Sequence, residues 1–171
     1  MIYLDSNVVI RLVEGDALAR APLVARLASS LGVAGSLTTS RLSRLECRSN
    51  LLRAGDTATL AQFDVFFSGV EISLVEVTAS VGELATEIRA KYSLKTPDAL
   101  HYASAMEAGA KVFLTGDRVF ARCSERIVAP PRFDSSTHTV RRLRTTCRFS
   151  PSESLRKFGY TPSVSSVAKT N

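Results

Sequence analysis

Four carboxylates are set apart by where they fall against the apolar runs of the chain: Asp5, Glu46, Asp98 and Asp117. Asp5 closes the run Ile2-Tyr3-Leu4, and Asp117 follows the run Val112-Phe113-Leu114-Thr115 by two residues. Ligands of open α/β sheets bind beyond the carboxyl ends of the strands. If these two runs are parallel strands, both acids emerge at one edge; taken singly, each is equally an ordinary surface aspartate. Asp98 falls in the first turn of a helix announced by Thr96-Pro97, where the positive end of the helix dipole alone would explain it. Glu46 lies beside Leu42, Leu45, Ser49 and Leu52, whose spacing predicts the inward stripe of a helix. A carboxylate there must protonate or find a partner. That partner is a cation shared with other acids, or Arg53 or a lysine.

Gathered carboxylates have a use in phosphodiester chemistry. Hard divalent cations such as Mg²⁺ and Mn²⁺ prefer oxygen ligands, lower the pKa of bound water and stabilise a leaving oxygen. Such chemistry needs no histidine base, and the chain has only His101 and His138. The nucleophile elbow, the P-loop and the dinucleotide-binding glycine pattern are all missing. Three widely spaced cysteines, Cys47, Cys123 and Cys147, suit neither a disulfide framework nor a zinc site and point to reduced thiols in a cytosol.

The elements that must position these acids alternate in type. Strands are expected at 2–4, 36–39, 70–77, 112–115 and 127–128. Ser6 is expected to cap a helix running to Gly15, and a further helix is expected over 17–31. Ser40 should cap a helix ending at Gly55, Asp56 one ending at Gly69, and Thr78 another. Thr96 should cap the alanine-rich helix that Gly109 stops, and a short helix should cover 118–124. Alternating strands and helices imply a parallel sheet covered on both faces, a three-layer α/β/α arrangement.

The chain is 45% hydrophobic, enough for a sizeable core. Its net charge of +6 is unevenly spread. Residues 1–133 hold 15 Lys and Arg against 14 Asp and Glu, whereas residues 134–171 hold seven against two. The body is nearly neutral, so overall basicity says little about nucleic acid binding by the body. Residues 134–171 are rich in Ser, Thr and Arg without apolar periodicity, and are expected to be a flexible or loosely docked extension. An acid at position 5 with no basic segment before it predicts no secretion signal. No apolar run nears the roughly 20 residues that span a bilayer.

In order and in wording, these segments resemble PIN-domain nucleases, and the VapC-type toxins of bacterial toxin–antitoxin pairs in particular. Residues 2–7, Ile-Tyr-Leu-Asp-Ser-Asn, resemble the opening strand of that family, and Arg44-Leu45-Glu46 resembles its helix-borne acid. Thr96-Pro97-Asp98-Ala99-Leu100-His101 and Leu114-Thr115-Gly116-Asp117-Arg118-Val119-Phe120 resemble its two later motifs. The similarity spans about residues 1–129. It implies a short, mainly parallel central sheet and an endoribonuclease dependent on Mg²⁺, with Mn²⁺ able to substitute, in which Asp5, Glu46, Asp98 and Asp117 hold the metal. It also implies RNA as substrate, a cognate antitoxin, a homodimer, and supporting roles for Ser6, Asn7 and Thr115 around the acids. The family usually stops soon after its last strand, so the extension from 134 departs from it.

Arg41, Arg44 and Arg48 share one stripe of the helix that bears Glu46, and Arg118 follows Asp117; each is a candidate RNA contact or a solvated cation. Phe63, Phe66 and Phe67 have the spacing of core or dimer packing rather than base stacking. His101, one turn after Asp98, is expected to pack or to hydrogen-bond behind the acids. Two other readings compete with the nuclease: a PIN-fold module that binds RNA or protein without catalysis, and a phosphoacceptor domain. The second wants paired acids after the first strand, and Leu4-Asp5-Ser6 supplies one.

Overall fold

The fold is a computed structural model that describes residues 1–123 and 127–128. It is a three-layer α/β/α arrangement built on strands β1 (Ile2–Leu4), β2 (Leu37–Ser40), β3 (Ile72–Val75), β4 (Val112–Leu114) and β5 (Ile127–Val128). Their spatial order is β3-β2-β1-β4-β5, and every pairing among them is parallel. All carboxyl ends of the sheet therefore share one edge. The helices are α1 (Ser6–Glu14), α2 (Ala17–Leu27), α3 (Arg41–Ala54), α4 (Thr57–Phe67), α5 (Ala79–Tyr92) and α6 (Thr96–Glu107), with a 3-10 helix at Arg118–Cys123.

Alternation along the strands divides the core into two. Tyr3 and Phe113 face Val81, Ala85 and Ile88 of α5 and Ala99 and Ala103 of α6. Leu4 and Leu114 face the other way, onto Val8 and Val9 of α1, Leu23 and Leu27 of α2, and Phe63 and Phe67 of α4. Phe63 and Phe67 are thus core residues, as their helical spacing predicts, and Phe66 packs against the same cluster. No described helix is long and apolar enough to cross a membrane.

Several boundaries differ from the sequence reading, each for a local reason. Asp5, not Ser6, caps α1: its extended backbone frees its carbonyl for the N–H groups of Val8 and Val9, while its side chain accepts from the Ser6 N–H. The cap of α6 is Lys95 rather than Thr96, because the Lys95 carbonyl already accepts from the Ala99 N–H. The second helix ends at Leu27 instead of running to 31, and Leu18 and Leu31 are exposed. The strand expected over 70–77 keeps only Ile72–Val75, flanked by exposed Val70 and Val77.

The largest departure concerns α3. Leu45 and Leu52 are each 61% exposed, whereas Ser43 and Cys47 are buried. The inward face of α3 is mixed: Ser43 meets the hydroxyls of Thr39 and Ser40 at the end of β2, and Cys47 and Leu51 join the apolar cluster, so the Leu45–Leu52 spacing marks the wrong side. Ser40, Asp56 and Thr78 cap α3, α4 and α5 through the backbone N–H groups of Ser43, Thr59 and Val81, as expected. Gly55 closes α3 in the left-handed conformation, at φ 70°. The extension at 134–171, with Cys147 and His138, lies outside the described residues.

Candidate active site

The carboxyl edge of β1 and β4 carries a connected set of polar side chains, most of them buried. Asp5 is only 5% exposed. Its Oδ1 accepts from the Ser6 N–H at 2.8 Å. Its Oδ2 accepts from Asn7 Nδ2 at 2.7 Å and from the Thr115 hydroxyl at 2.6 Å. Asn7 also donates to Thr115 Oγ1 at 3.2 Å and accepts from the Gly116 N–H at 2.8 Å, so it ties the start of α1 to the loop after β4. Thr115 Oγ1 in turn accepts from the Asp117 N–H at 3.0 Å. Ser6, Asn7 and Thr115 thus form the frame around Asp5 and the Asp117 loop.

Glu46 reaches the same edge from α3. Its Oε2 accepts from the Ser6 hydroxyl at 2.5 Å and lies 2.8 Å from His101 Nε2. His101, on α6, is 2% exposed. Its Nδ1 sits 3.0 Å from the Tyr3 hydroxyl. Among the described residues Glu46 has no ion pair with Arg53 or a lysine, the partner expected as an alternative to a cation; the histidine takes that place. Asp98 stands at the start of α6, half-buried, and Asp117 is exposed with its Oδ1 accepting from the Val119 N–H at 2.8 Å.

Electrostatics group the acids in two pairs. Burial pushes the Asp5 carboxyl above its ordinary range, and Glu46 adds to that rise, against the favourable field of His101 and the Thr115 bond. Burial also pushes on Glu46, but hydrogen bonds from His101 and Ser6 outweigh it and hold Glu46 below the usual value. Asp98 is raised by burial and then by the nearby charge of Asp117, with His101 and Lys95 opposing. None of the four acids has a Lys or Arg ion-pair partner among the described residues. Equally, no three His, Cys, Asp or Glu side chains among those residues converge tightly enough to form a ready metal cage.

A profile of the PIN domain matches residues 2–125. The chain belongs to the PIN domain family. Solved structures agree on the fold. A toxin–antitoxin complex from Klebsiella pneumoniae is 19% identical with a TM-score of 0.62, covering 78% of this chain and 100% of the other. VapBC2 from Rickettsia felis, bound to a DNA fragment from its promoter, is 16% identical with a TM-score of 0.60, covering 75% and 98%. VapC20 of Mycobacterium tuberculosis, a toxin that cleaves the sarcin–ricin loop, is 25% identical with a TM-score of 0.52, covering 68% and 92%. No curated protein matches.

Within this PIN domain, the arginine stripe on α3 is engaged elsewhere. Arg41 pairs with Glu76 at 2.8 Å, and Arg44 and Arg48 pair with Asp64 at 2.9 and 3.4 Å. Arg44 also lies over the Phe67 ring. Arg118 is exposed and has no ion pair among the described residues. Cys47 and Cys123 are buried free thiols. Burial and the charges of Glu46 and Glu14 push Cys47 up to about 12, which keeps it an inert thiol. What the sequence reading missed is Tyr3. Its place in a buried strand was legible, but nothing in the spacing linked its hydroxyl to His101, 98 residues away.

Proposed function

We propose that this PIN domain is a Mg²⁺- or Mn²⁺-dependent endoribonuclease, the VapC-type toxin of a toxin–antitoxin pair acting in the cytoplasm. What supports this reading is that the four acids fall into two electrostatic pairs, Asp5 with Glu46 and Asp98 with Asp117, both linked to His101, and that none of them forms a Lys or Arg salt bridge among the described residues. Paired like charges favour a shared cation. The donor set is all oxygen, which suits a hard dication rather than zinc. Asp5, Glu46, Asp98 and Asp117 would hold it. When bound, the ion supplies positive charge for the phosphate oxygens and acidifies water.

The chain's own residues do the rest. Ser6, Asn7 and Thr115 fix both oxygens of Asp5 through three donated hydrogen bonds, so its charge is preset rather than recruited. Asp98 and Asp117 repel one another at the rim, with His101 and Lys95 opposing that repulsion only in part. Arg118 is the first candidate for a substrate phosphate. Arg41, Arg44 and Arg48 would have to leave carboxylate partners to serve as well. The reaction is phosphodiester hydrolysis: water attacks phosphorus and a ribose oxygen leaves. The proposed partners are a cognate antitoxin and a second copy of the chain, for which the exposed Leu45 and Leu52 offer apolar surface.

Asp5→Asn should abolish RNA cleavage in Mg²⁺ or Mn²⁺ while leaving the circular dichroism spectrum unchanged. Cleavage by that variant at the parent's rate would refute the assignment. One observation favours a second reading, a PIN-fold module that binds RNA or protein without catalysis: the acids do not form a closed cage on their own. Titration calorimetry showing no Mn²⁺ uptake at neutral pH would select it.

A further inference from the structure

We propose that Tyr3 and His101 form a buried positioning pair that fixes the Glu46 carboxylate, with the Tyr3 hydroxyl donating to Nδ1 and Nε2–H donating to Glu46. The proposal rests on reading Glu46 as a cation ligand. The order of contacts runs from the core to the site: Tyr3 Oη to Nδ1 at 3.0 Å, Nε2 to Glu46 Oε2 at 2.8 Å, and Nε2 to Ser6 Oγ at 3.1 Å. Ser6 has one hydroxyl proton, and its 2.5 Å contact with Glu46 Oε2 takes it. The Ser6 oxygen therefore faces Nε2 as an acceptor, as does the carboxylate. With two acceptors before it, Nε2 carries the ring proton.

In the neutral ring Nδ1 is then an acceptor and needs a donor in a place closed to water. Tyr3 is that donor. It is fully buried and stacked on Phe113 at 5.3 Å and 6°, so its hydroxyl is held rigidly on the central strand. Ser40 Oγ is a poorer donor because it lies at 3.5 Å from Nδ1, against 3.0 Å for the Tyr3 hydroxyl. Without the Tyr3 proton the opposite tautomer becomes accessible, and it would aim a nitrogen lone pair at Glu46. Glu46 Oε2 thus receives two set donors, while Oε1 has no hydrogen bond among the described residues. One oxygen is tethered and the other is left for a ligand. Partners behind a metal-binding group commonly change metal affinity about 10- to 100-fold when lost.

The test reads the tautomer and the metal separately. Long-range ¹H–¹⁵N spectra of the metal-free full chain, with His138→Gln used for assignment, should show His101 as the Nε2–H tautomer with well-separated nitrogen shifts. Tyr3→Phe should bring the two shifts together and weaken Mn²⁺ binding about tenfold, with circular dichroism and urea midpoint as fold controls. His101→Gln, whose amide N–H reaches toward Glu46, should keep Mn²⁺ affinity within a few-fold of the parent, while His101→Ala should lose it. An Nδ1–H tautomer in the parent, or a ring protonated on both nitrogens, overturns the proposal. So does a Tyr3→Phe protein with unchanged His101 shifts and unchanged Mn²⁺ affinity. A parent that takes up no Mn²⁺ overturns the metal reading, and the positioning role with it.

Discussion

Asp5 shows how a side chain can be at once buried, charged and useful. Its desolvation is opposed only in part by His101, the Thr115 hydroxyl and the Ser6 N–H, and the 2.6 Å Thr115 bond is among the shortest in the site. Thr115→Val keeps the shape and removes that donor, at an expected cost of about 1.5–3 kcal/mol in urea unfolding at pH 7. Because the bond favours the charged carboxylate, its loss raises the Asp5 pKa further. The deficit should shrink as pH falls and Asp5 takes a proton in the folded state, so unfolding at pH 4.5 should show a smaller difference than at pH 7. Asp98 behaves otherwise. Its folded pKa is raised by burial and by Asp117. Its contribution to stability is fully present below the ordinary carboxylate range and is lost as pH climbs through the raised value. Asp98→Asn should therefore make the metal-free protein slightly more stable at pH 7, by about 0.5 kcal/mol after solvent screening, or ~1–2 °C in Tm. That gain should fade toward pH 4, and the Mn²⁺-induced rise in Tm should be smaller than in the parent.

At the scale of elements, α3 carries the most consequence. Its amino end is capped by Ser40 next to the site, its middle delivers Glu46, and its carboxyl end is closed by Gly55. A Cβ added at Gly55 meets nothing within 4 Å, so the penalty of Gly55→Ala is purely conformational. It should cost about 1 kcal/mol in urea unfolding, with RNA cleavage at the parent's level because Glu46 lies more than two turns away. A larger loss, or a fall in cleavage, would mean that the end of the helix is coupled to the site.

The whole molecule joins a two-sided core to a polar edge. Tyr3 and Leu4 point to opposite faces, and the chain then turns at Asp5 into α1. The exposed leucines of α3, Leu45 and Leu52, lie seven residues apart and so share one face of the helix. If that face joins two copies, Leu52→Glu should shift sedimentation from dimer to monomer with unchanged circular dichroism. A Leu52→Glu protein that sediments as the parent would place any self-association elsewhere.

The sequence by itself determined the order of strands and helices and three of the side-chain caps, and it singled out the four acids proposed to hold the metal. These are local matters: period, cap chemistry and motif spacing are written in neighbouring residues. It also told that Phe63 and Phe67 belong to the core. The tertiary structure alone decided which side of α3 faces inward. That face is mixed: Ser43 meets the hydroxyls of Thr39 and Ser40 while Cys47 and Leu51 join the apolar cluster with α1 and α4, so leucine spacing pointed to the wrong side. It alone assigned Glu46 to His101 rather than to an arginine, and sent Arg44 and Arg48 to Asp64. Such pairings join residues 16 to 98 positions apart: the packing of α4 back on α3 makes the Asp64 pairs, and the parallel sheet brings Tyr3, Glu46 and His101 within hydrogen-bond reach.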